Sequence, residues 1–321
     1  MKPRRVVASS KSVIEIEEYD IPIPIPGQVL VESLYTAISP GTELAFLHNM
    51  ANTSGKYPYY PGYSGSCRII DKADNLEGFE VGQVVVCQAR HASHQTIDAN
   101  RCIILPESIS QIDAAVYTIA SIALQGVRKA QIQLGDNVCV LGLGSIGNLA
   151  AQLSKVAGAG YVEGIDFVDR RRELALESGL DAASASSEEP SLKSGYDIVI
   201  EATGAPKAVL SAFKLAKKYG KVILLGSTRG NTDDVNFYMD VHRKGLTIIG
   251  AHAGCRASSE NFGYFHTLRD DEETVLKLMT QGRIRTDLLI SEITSVDNAA
   301  AAYESLTKKD EKLMLIAFKW L

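Results

Sequence analysis

The spacing of hydrophobic residues changes near residue 110 of the chain. Before that point, short apolar segments are separated by glycines, and in Val29–Ser33 apolar and polar residues alternate with a period of two. The other segments predicted as strands here are Val6–Val7, Val13–Ile16, Ser66–Asp71 and Val84–Cys87. Many short strands joined by glycine turns predict a β-rich domain, built as a partly closed barrel or as a sandwich.

From Ile112 onward, nearly continuous apolar strands alternate with segments of helical periodicity. The predicted helices are Ala114–Ala130, Asp169–Ser178, Pro206–Tyr219 and Glu272–Gln281, and the predicted strands are Tyr196–Glu201, Lys221–Gly226 and Leu246–Gly250. This alternation predicts a parallel sheet covered by helices on both faces. The loop 182–195, rich in serine and alanine, is expected at the surface with no chemistry of its own.

The end of the sequence indicates how these two patterns are connected. Ala299–Leu306 is predicted to be a helix, and Leu313–Phe318 is a strand too apolar to be a tail. We expect this strand to return to the β-rich domain, which makes the α/β domain an insertion. The predicted domains are residues 1–117 with 287–321 for the β-rich part, and residues 118–286 for the inserted part.

Composition and charge exclude several classes of protein. Of 321 residues, 45% are hydrophobic and 22% are charged, which are ordinary proportions for a globular protein. A formal net charge of −5 argues against a nucleic-acid surface. The longest apolar stretch, Ala114–Leu124, is too short to cross a bilayer, and the N-terminus lacks the pattern of a signal peptide. We therefore expect a cytoplasmic protein with no membrane or nucleic-acid partner.

Cysteine usage agrees with a reducing compartment. The cysteines are odd in number and contain no C-x-x-C pair. They are Cys67, Cys87, Cys102, Cys139 and Cys255. This pattern is typical of reduced thiols that pack as small apolar residues, and its spacing excludes a structural zinc cluster.

The stretch Asn137–Gly147, NVCVLGLGSIG, contains the strongest motif in the sequence. An apolar strand leads into Gly142, Gly144 and Gly147, which have the spacing G-x-G-x-x-G, and a helical pattern follows. A strand that feeds a glycine turn and opens a helix directs free backbone amides towards a pyrophosphate group. The motif therefore predicts a dinucleotide site.

A carboxylate further along the chain makes this motif more specific. Asp166 ends the next predicted strand, Tyr161–Asp166, and lies 19 residues after Gly147. An acid at this spacing accepts the ribose hydroxyls of adenosine and repels a 2′-phosphate, so the pattern favours NAD over NADP. Arg170 and Arg171 lie close enough to Asp166 in the sequence to weaken that preference.

Two further loops follow strands of the predicted parallel sheet, at the edge where such sheets bind ligands. They begin at Ala202 and Gly226, and we expect them to line the nicotinamide ribose and carboxamide. The residues predicted to contact the cofactor are Gly142, Gly144, Ser145, Ile146, Gly147, Asp166, Arg171, Ala202, Thr203, Gly226 and Ser227.

Four local motifs, taken in order, give the chain a resemblance to a known family. They are Gly27-Gln-Val-Leu-Val, Pro58-Tyr-Tyr-Pro-Gly-Tyr-Ser-Gly, Gly82-Gln-Val-Val-Val and Gly135-Asp136. With the domain order above, the chain resembles the medium-chain dehydrogenase/reductase superfamily over nearly its whole length. The resemblance implies an α/β protein in which a Rossmann doubly wound parallel sheet is inserted into a β-rich, GroES-like, partly open barrel domain. It also implies a homodimer, for which the predicted strand Leu246–Gly250 could pair across a two-fold axis.

Zinc-dependent alcohol dehydrogenases of this superfamily carry metal ligands at positions where this sequence departs from them. Pro40 replaces a cysteine. Tyr63 and Ser64 replace a histidine and a glutamate, and the segment Thr118–Ser121 has no cysteine. The lobe that would hold four zinc-binding cysteines is missing between Cys87 and Cys102. These replacements are poor zinc ligands, so we predict no catalytic zinc.

The segments Ser39–Glu43 and His91–His94 resemble a subgroup that includes bacteriochlorophyllide dehydrogenase-like proteins and cyclitol or sugar dehydrogenase-like proteins. The histidine pair could in principle rebuild a metal site with Cys87 or Glu43. A pair three residues apart needs a helix, however, whereas Val84–Ile97 is predicted as strand and loop. Exposed or core-satisfied histidines are therefore favoured over metal ligands.

Without a metal, another group has to stabilise the charge that develops on a substrate oxygen. By resemblance, Thr42 occupies the position of a hydroxyl that begins the family's proton relay, and Tyr63 stands where a zinc-binding histidine would stand. An unperturbed phenol has a pKa of about 10, which a neighbouring cation could lower, and the candidates are His48, His91 and His94. The alternatives are an aromatic ring that fills the metal's space for Tyr63 and a turn hydroxyl for Thr42. Glu43 resembles the family's structural acid, for which a buried ion pair is expected.

The leading hypothesis is an NAD-dependent, zinc-independent oxidoreductase that transfers a hydride between nicotinamide and a small-molecule secondary alcohol or ketone, such as a cyclitol, sugar or polyol. A second hypothesis is a zinc-free reductase of quinones or conjugated C=C bonds. Such enzymes usually favour NADPH, against which Asp166 argues. A third hypothesis is a non-catalytic NAD(H)-binding protein that lost its chemistry with the metal.

Overall fold

The computed structural model describes residues 2–74, 76–257, 266–308 and 310–320. The chain forms two compact units, one built from Met1–Ile119 with Ile290–Leu321 and the other from Ala120–Leu289. Among the described residues, no helix is both long and apolar enough to cross a membrane.

The secondary structure comprises short strands in both units and helices of 4 to 14 residues. The strands are β1 (Arg4–Ser10), β2 (Val13–Glu18), β3 (Gln28–Ala37), β4 (Gly65–Lys72), β5 (Val84–Cys87), β6 (His94–Asp98), β7 (Ile103–Ile104), β8 (Asn137–Leu141), β9 (Tyr161–Ile165), β10 (Ala182–Ser184), β11 (Tyr196–Glu201), β12 (Ala216–Leu224), β13 (Thr247–Gly250), β14 (Ile290–Ser295) and β15 (Leu315–Lys319). The helices are α1 (Pro40–Leu47), α2 (Gln111–Ala114), α3 (Tyr117–Ala130), α4 (Ser145–Val156), α5 (Asp169–Glu177), α6 (Pro206–Leu215), α7 (Leu268–Thr280) and α8 (Ala299–Thr307).

The first unit is β-rich. An antiparallel pair, β1 and β2, accompanies a larger sheet in the order β14–β15–β3–β4–β5–β7, and β6 also pairs with β3. The C-terminal strand returns to this sheet, as expected, because Phe318 of β15 pairs with Thr36 of β3. Phe318 and Tyr303 of α8 are almost completely buried in the core beneath it. The strand is apolar because it is a core strand of this unit.

The second unit contains a six-stranded sheet in the order β10–β9–β8–β11–β12–β13. All five pairings are parallel, and the order reverses at β8, between β9 and β11. This is the strand order of a doubly wound Rossmann sheet, so the predicted fold class is confirmed. Its ligand site is expected at the carboxyl ends of β8 and its neighbours, where the order reverses.

Several boundaries differ from the sequence prediction: the predicted helix Ala114–Ala130 is divided into α2 and α3, and three further differences have a clear cause. The predicted helix Pro206–Tyr219 ends at Leu215, because Ala216 pairs with Tyr196 of β11 and so begins β12. Pairing with a neighbouring strand overrides the local helical pattern there. The surface loop after Ala182 contains a short strand, β10, paired with β9. The helix predicted from Glu272 begins at Leu268, where Thr267 and Asp270 form a capping box.

The cysteines are free, and four of them are buried. Cys139 lies in the buried strand β8, as predicted, with no exposed surface. Cys255 is exposed and does not pack as a small apolar residue, which corrects the expectation for that position.

Candidate functional site

The glycine turn joins β8 to α4 in the second unit. Gly142 has a φ of +86°, a left-handed conformation that favours glycine, and its N–H donates to Ile165 O at 2.8 Å. A Cβ atom on Gly147 would lie 1.8 Å from Gly142 O, so only glycine lets α4 pack this closely against the turn. The G-x-G-x-x-G spacing therefore forms a tight strand–turn–helix unit in the structure.

The first turn of α4 is open to a ligand. Gly144 is the N-cap residue, and no side chain caps the helix. A Cβ atom on Gly144 would meet no atom within 4 Å, so the space beside the turn is unfilled. Uncapped amides at a helix N-terminus carry partial positive charge and suit an anionic group. These residues fit the pyrophosphate of a dinucleotide.

Asp166 lies at the carboxyl end of β9, and backbone amides hold its carboxylate in place. Its Oδ2 accepts from Leu143 N at 2.8 Å, and its Oδ1 accepts from Val168 N at 2.9 Å. Arg171 Nη1 lies 3.5 Å from the same Oδ2, and Arg172 donates to Asp166 O at 2.7 Å. An ionised carboxylate offers about four acceptor positions, and Leu143 N, Val168 N and Arg171 Nη1 use three of them, which leaves one for a ribose hydroxyl. The bond to Leu143 also ties the acid to the glycine turn, which the spacing alone did not indicate.

The loop after β11 packs against the glycine turn, and the loop after β12 packs against the loop after β11. A Cβ atom on Gly142 would lie 2.6 Å from Thr203 Cγ2, and one on Gly204 would lie 2.6 Å from Ser227 O. Gly226 N donates to the carbonyl oxygen of Glu201 at 2.7 Å. The structure thus brings together the three loops that the sequence assigned to the cofactor.

Glu201, which the sequence prediction passed over, organises one of these loops. It is fully buried at the end of β11, and its Oε1 accepts from Thr203 N at 2.7 Å and from Gly204 N at 3.2 Å. Burial raises the pKa of this carboxyl, against the lowering effect of the Thr203 hydrogen bonds. The sequence signal for it was an acid at the last position of an otherwise apolar strand, Tyr196–Glu201.

In the first unit, the segments at the superfamily's zinc-ligand positions come close together. Pro40 begins α1, and Ala37 N, just before it, donates to Ser64 O at 3.1 Å. Ser64 Oγ in turn donates to Ala115 O at 2.6 Å and accepts from Thr118 N at 3.3 Å. The groups at these positions are a proline ring, the Tyr63 phenol and hydroxyls. They do not fit zinc, which prefers thiolate, imidazole and carboxylate. Among the described residues, no group of three or more histidine, cysteine or acidic side chains could hold a metal ion.

A buried hydrogen-bond network includes the acid of α1. Glu43 Oε2 lies 3.0 Å from His91 Nε2 and accepts a hydrogen bond from the Tyr303 hydroxyl, while Glu43 Oε1 accepts from Ser39 N at 2.8 Å. His91 Nδ1 lies 2.7 Å from Thr36 Oγ1. Glu43 and His91 have no exposed surface. Glu43 is therefore the buried, paired acid that was expected, and His91 is satisfied in the core.

The protonation of Tyr303 fits its role as a donor in this network. Burial, reinforced by the negative charge of Glu43, raises the pKa of Tyr303 well above its usual value. The phenol therefore keeps its proton and donates a hydrogen bond to Glu43 Oε2.

The same network connects the segments that carry Thr42 and Tyr63. Thr42 precedes Glu43 in the first turn of α1, so it lies in a helix rather than in an isolated turn. Tyr63 follows Gly62, whose backbone packs on His91, because a Cβ atom on Gly62 would lie 2.4 Å from His91 N. Both side chains are half-buried. The contact between Glu43 and His91 therefore fixes the two backbone segments that carry the predicted catalytic residues.

His94 lies elsewhere in this unit, on β6. Its Nδ1 lies 3.0 Å from Ser93 Oγ, and its carbonyl oxygen accepts from the Tyr19 hydroxyl. Burial lowers the pKa of His94, so the ring is neutral near pH 7 and does not act as the cation expected beside Tyr63. It lines a cavity whose described walls include neither Thr42 nor Tyr63.

The glycine turn, the anchored Asp166 and the parallel sheet define a dinucleotide-binding α/β protein of the dehydrogenase type. Residues 145–279 match the family described as zinc-binding dehydrogenase. The chain is similar to the alcohol dehydrogenase-like oxidoreductases of the medium-chain dehydrogenase/reductase superfamily.

Individual relatives cover different shares of the chain. D-guloside 3-dehydrogenase of Escherichia coli K12 is 29% identical over 207 residues, which are 62% of this chain and 59% of that protein. L-threonine 3-dehydrogenase of Pyrococcus horikoshii is 27% identical over 317 residues, covering 86% of this chain and 87% of that protein. The crystal structure of galactitol-1-phosphate dehydrogenase from Escherichia coli has the same fold, with a TM-score of 0.85 at 20% identity over 98% of this chain and 99% of that one.

Proposed function

We propose that this protein is an NAD-dependent, zinc-independent dehydrogenase that interconverts a secondary alcohol and a ketone on a sugar, cyclitol or polyol. The observation that carries the proposal is the Asp166 carboxylate, held at the end of β9 by the amides of Leu143 and Val168. It lies beside a glycine turn whose helix amides are uncapped.

The cofactor preference follows from charge. A fixed carboxylate at Asp166 accepts the ribose hydroxyls of NAD, whereas the 2′-phosphate of NADP would approach it with like charge. Arg171 lies 3.5 Å from the carboxylate and offsets part of that repulsion. NAD is therefore the proposed cofactor, with a preference over NADP that Arg171 moderates.

The proposed chemistry relies on hydroxyl groups. Bound nicotinamide supplies the hydride acceptor or donor. Tyr63 is proposed to hydrogen-bond to the substrate oxygen and to give or take its proton, and the Thr42 hydroxyl to pass that proton on. His94, neutral and on β6, is no longer proposed for this role.

The proposed substrate class rests on the activities named for the sequence relatives. The sequence relatives include enzymes named for oxidation at position 3 of D-guloside and of L-threonine, both secondary alcohols. Because these matches are below 30% identity, we propose the class of substrate and not one compound.

The proposal is tested by treating the protein with a chelator and measuring its activity on a set of candidate substrates. After dialysis against EDTA, NAD⁺ reduction should be seen with at least one sugar, cyclitol or polyol and should not rise when zinc is added. The panel should include enones and quinones with NADH and NADPH. Turnover only on enones or quinones would support the alternative reductase, and NADH binding without turnover would support a non-catalytic protein. Activity that appears only with zinc would refute the zinc-independent mechanism.

We further propose a cytoplasmic homodimer that pairs through β13. This strand is an edge of the described six-stranded sheet, and Ile248 on it is 37% exposed. An unpaired edge strand is a ready site for pairing with a second copy. Light scattering should give twice the chain mass for the native protein, and Ile248→Lys should shift it to the monomer. A monomeric native protein would refute the proposal.

A further inference from the structure

A cavity of about 550 Å³ opens within the first unit, in the size range of small-molecule sites. Its walls come from β1, from the segment after β2, from residues 58–60 and from residues 90–96 at the start of β6. No residue of the nucleotide turn, and neither Thr42 nor Tyr63, is among its described walls. The side chains that bear on its chemistry are Arg5, Tyr19, Tyr60, Arg90, His94 and Gln95.

The described wall of the cavity carries cationic side chains and no acidic one. Two arginines, Arg5 and Arg90, lie on its wall, and no aspartate or glutamate is among the described residues that line it. Arg5 is paired with Glu17 at 3.1 Å, outside the cavity. Arg90 is exposed and donates to carbonyl oxygens, that of Tyr60 at 2.8 Å and that of Gly62 at 3.4 Å. Carbonyl oxygens carry no net charge, so the charge of Arg90 remains for an anion.

Both arginines are held in position. The Arg5 guanidinium lies 4.9 Å from the ring centroid of Tyr19 and 4.2 Å from that of Tyr60. The side chain of Gln95 brackets the backbone of Arg90: its Oε1 accepts from Arg90 N at 3.0 Å, and its Nε2 donates to Arg90 O at 3.3 Å. A cation fixed before binding loses less entropy when it meets a ligand.

The aromatic residues add a second kind of recognition. The Arg5 guanidinium lies over one face of the Tyr19 ring and one face of the Tyr60 ring, and both residues line the cavity. The Tyr60 oxygen accepts from Arg5 Nη2 at 3.3 Å, so its hydroxyl proton remains available to a ligand. A planar apolar body could pack on these rings while an anionic head meets the guanidinium groups.

We propose that this cavity binds a small organic anion, with a carboxylate or phosphate head on Arg90 and Arg5 and a planar body against Tyr19 and Tyr60. This site goes beyond the dehydrogenase chemistry proposed above. In this proposal His94 is part of the cavity wall, to which it contributes a neutral ring.

The experiment is a calorimetric titration of the full chain with phenyl phosphate, benzoate, inorganic phosphate and phenol at constant ionic strength. Saturation with NADH beforehand keeps phosphate probes out of the nucleotide turn. Phenyl phosphate or benzoate should bind, and the tighter of the two identifies the head group. Arg90→Gln should weaken that binding about tenfold, as expected for the loss of a charge-assisted hydrogen bond, and Arg90→Lys should restore part of it. Arg101→Gln, at an exposed arginine outside the cavity, should leave it unchanged.

The controls separate this proposal from the proposed function and from misfolding. Each variant is first compared with the native protein by thermal unfolding. If Arg90→Gln unfolds early, Arg5→Gln and Tyr60→Phe provide the second and third tests of the same site. Equal affinity of all folded variants, or binding of phenol or inorganic phosphate as tight as that of phenyl phosphate, would overturn the proposal. Gly144→Ala, which weakens nucleotide binding, should leave the affinity for benzoate unchanged, so failure of the nucleotide site is distinguishable from failure of this cavity.

Discussion

The carboxylate of Glu43 and the imidazole of His91 meet at 3.0 Å, with neither side chain exposed to solvent. They are 48 residues apart in the sequence and join α1 to the segment before β6. Their other partners include Tyr303 and Thr36. In this unit, side chains from four parts of the chain satisfy one another in one buried hydrogen-bond network.

Glu43→Gln should destabilise the protein by about 2–4 kcal/mol, because the amide places a donor among groups that already donate to the carboxylate. Urea unfolding measures this free energy. The matched control is Glu304→Gln on α8, where the acid is 64% exposed and paired with Lys308, and it should change stability by less than about 0.5 kcal/mol. Equal effects of the two substitutions would show that the buried network contributes little.

Gly144→Ala should separate cofactor binding from folding. The added methyl meets no protein atom within 4 Å, and the φ of Gly144 is −60°, which alanine adopts readily, so thermal unfolding should be nearly unchanged. NADH affinity, measured by fluorescence titration, should fall about tenfold or more, since the methyl occupies space beside the uncapped amides. Gly250→Ala, also with no atom within 4 Å, is the control that should bind NADH normally. Retention of full affinity by Gly144→Ala would place the pyrophosphate elsewhere.

Asp166→Ser should raise affinity for NADPH relative to NADH, because it removes the negative charge that meets a 2′-phosphate. It should also cost about 1–2 kcal/mol of stability, because the carboxylate no longer accepts from Leu143 N and Val168 N. Asp166→Asn keeps an acceptor while removing the charge, so it isolates the electrostatic effect. The dissociation constants of NADH and NADPH, measured for each variant, give the ratio of the two affinities. An unchanged ratio in both variants would mean that Asp166 does not face the adenosine ribose.

Asp271 on α7 should make stability depend on pH. It is almost fully buried, with Arg128 Nη1 at 2.6 Å from Oδ1 and Arg256 Nη1 at 3.9 Å from Oδ2. Burial outweighs both arginines and raises the pKa of this carboxyl from 3.8 to about 6. The folded state therefore holds this proton more tightly than the unfolded state does. Stability from Asp271 is present below about pH 4 and is lost as the pH rises through about 6.

The size of this pH effect can be measured against a variant. The shift corresponds to about 3 kcal/mol between pH 4 and pH 7 as an upper bound. Urea unfolding across this range gives the free energy of unfolding of the native protein and of Asp271→Asn. The value for the native protein minus that for the variant should fall as the pH rises. For Asp233→Asn, at an exposed acid of the same unit, the free energy of unfolding should differ from that of the native protein by a nearly constant amount across this pH range. A pH-independent difference for Asp271→Asn would show that the carboxyl titrates normally.

The parts of the site that the sequence predicted are local in the chain. The turn Gly142–Gly147 and the strand after it lie within one β–α–β unit. The tight turn requires glycines at fixed intervals, and that spacing can be recognised in the sequence. Contacts such as Glu43 with His91 join distant segments, and no periodicity in the sequence reports which residues will meet. The end of α6 was misjudged for a similar reason, because Ala216 pairs with Tyr196 across the sheet.

The hydrogen bond from Tyr303 to Glu43 bears on the order in which the molecule can fold during synthesis. All of Ala120–Leu289 is made before β14, α8 and β15, so the strands of the second unit's described sheet are available while the β-rich unit still lacks β14 and β15. Until α8 emerges, the Glu43 carboxylate lacks one of its donors and the core around it stays open. The residues translated first are therefore expected to be among the last to reach their final packing.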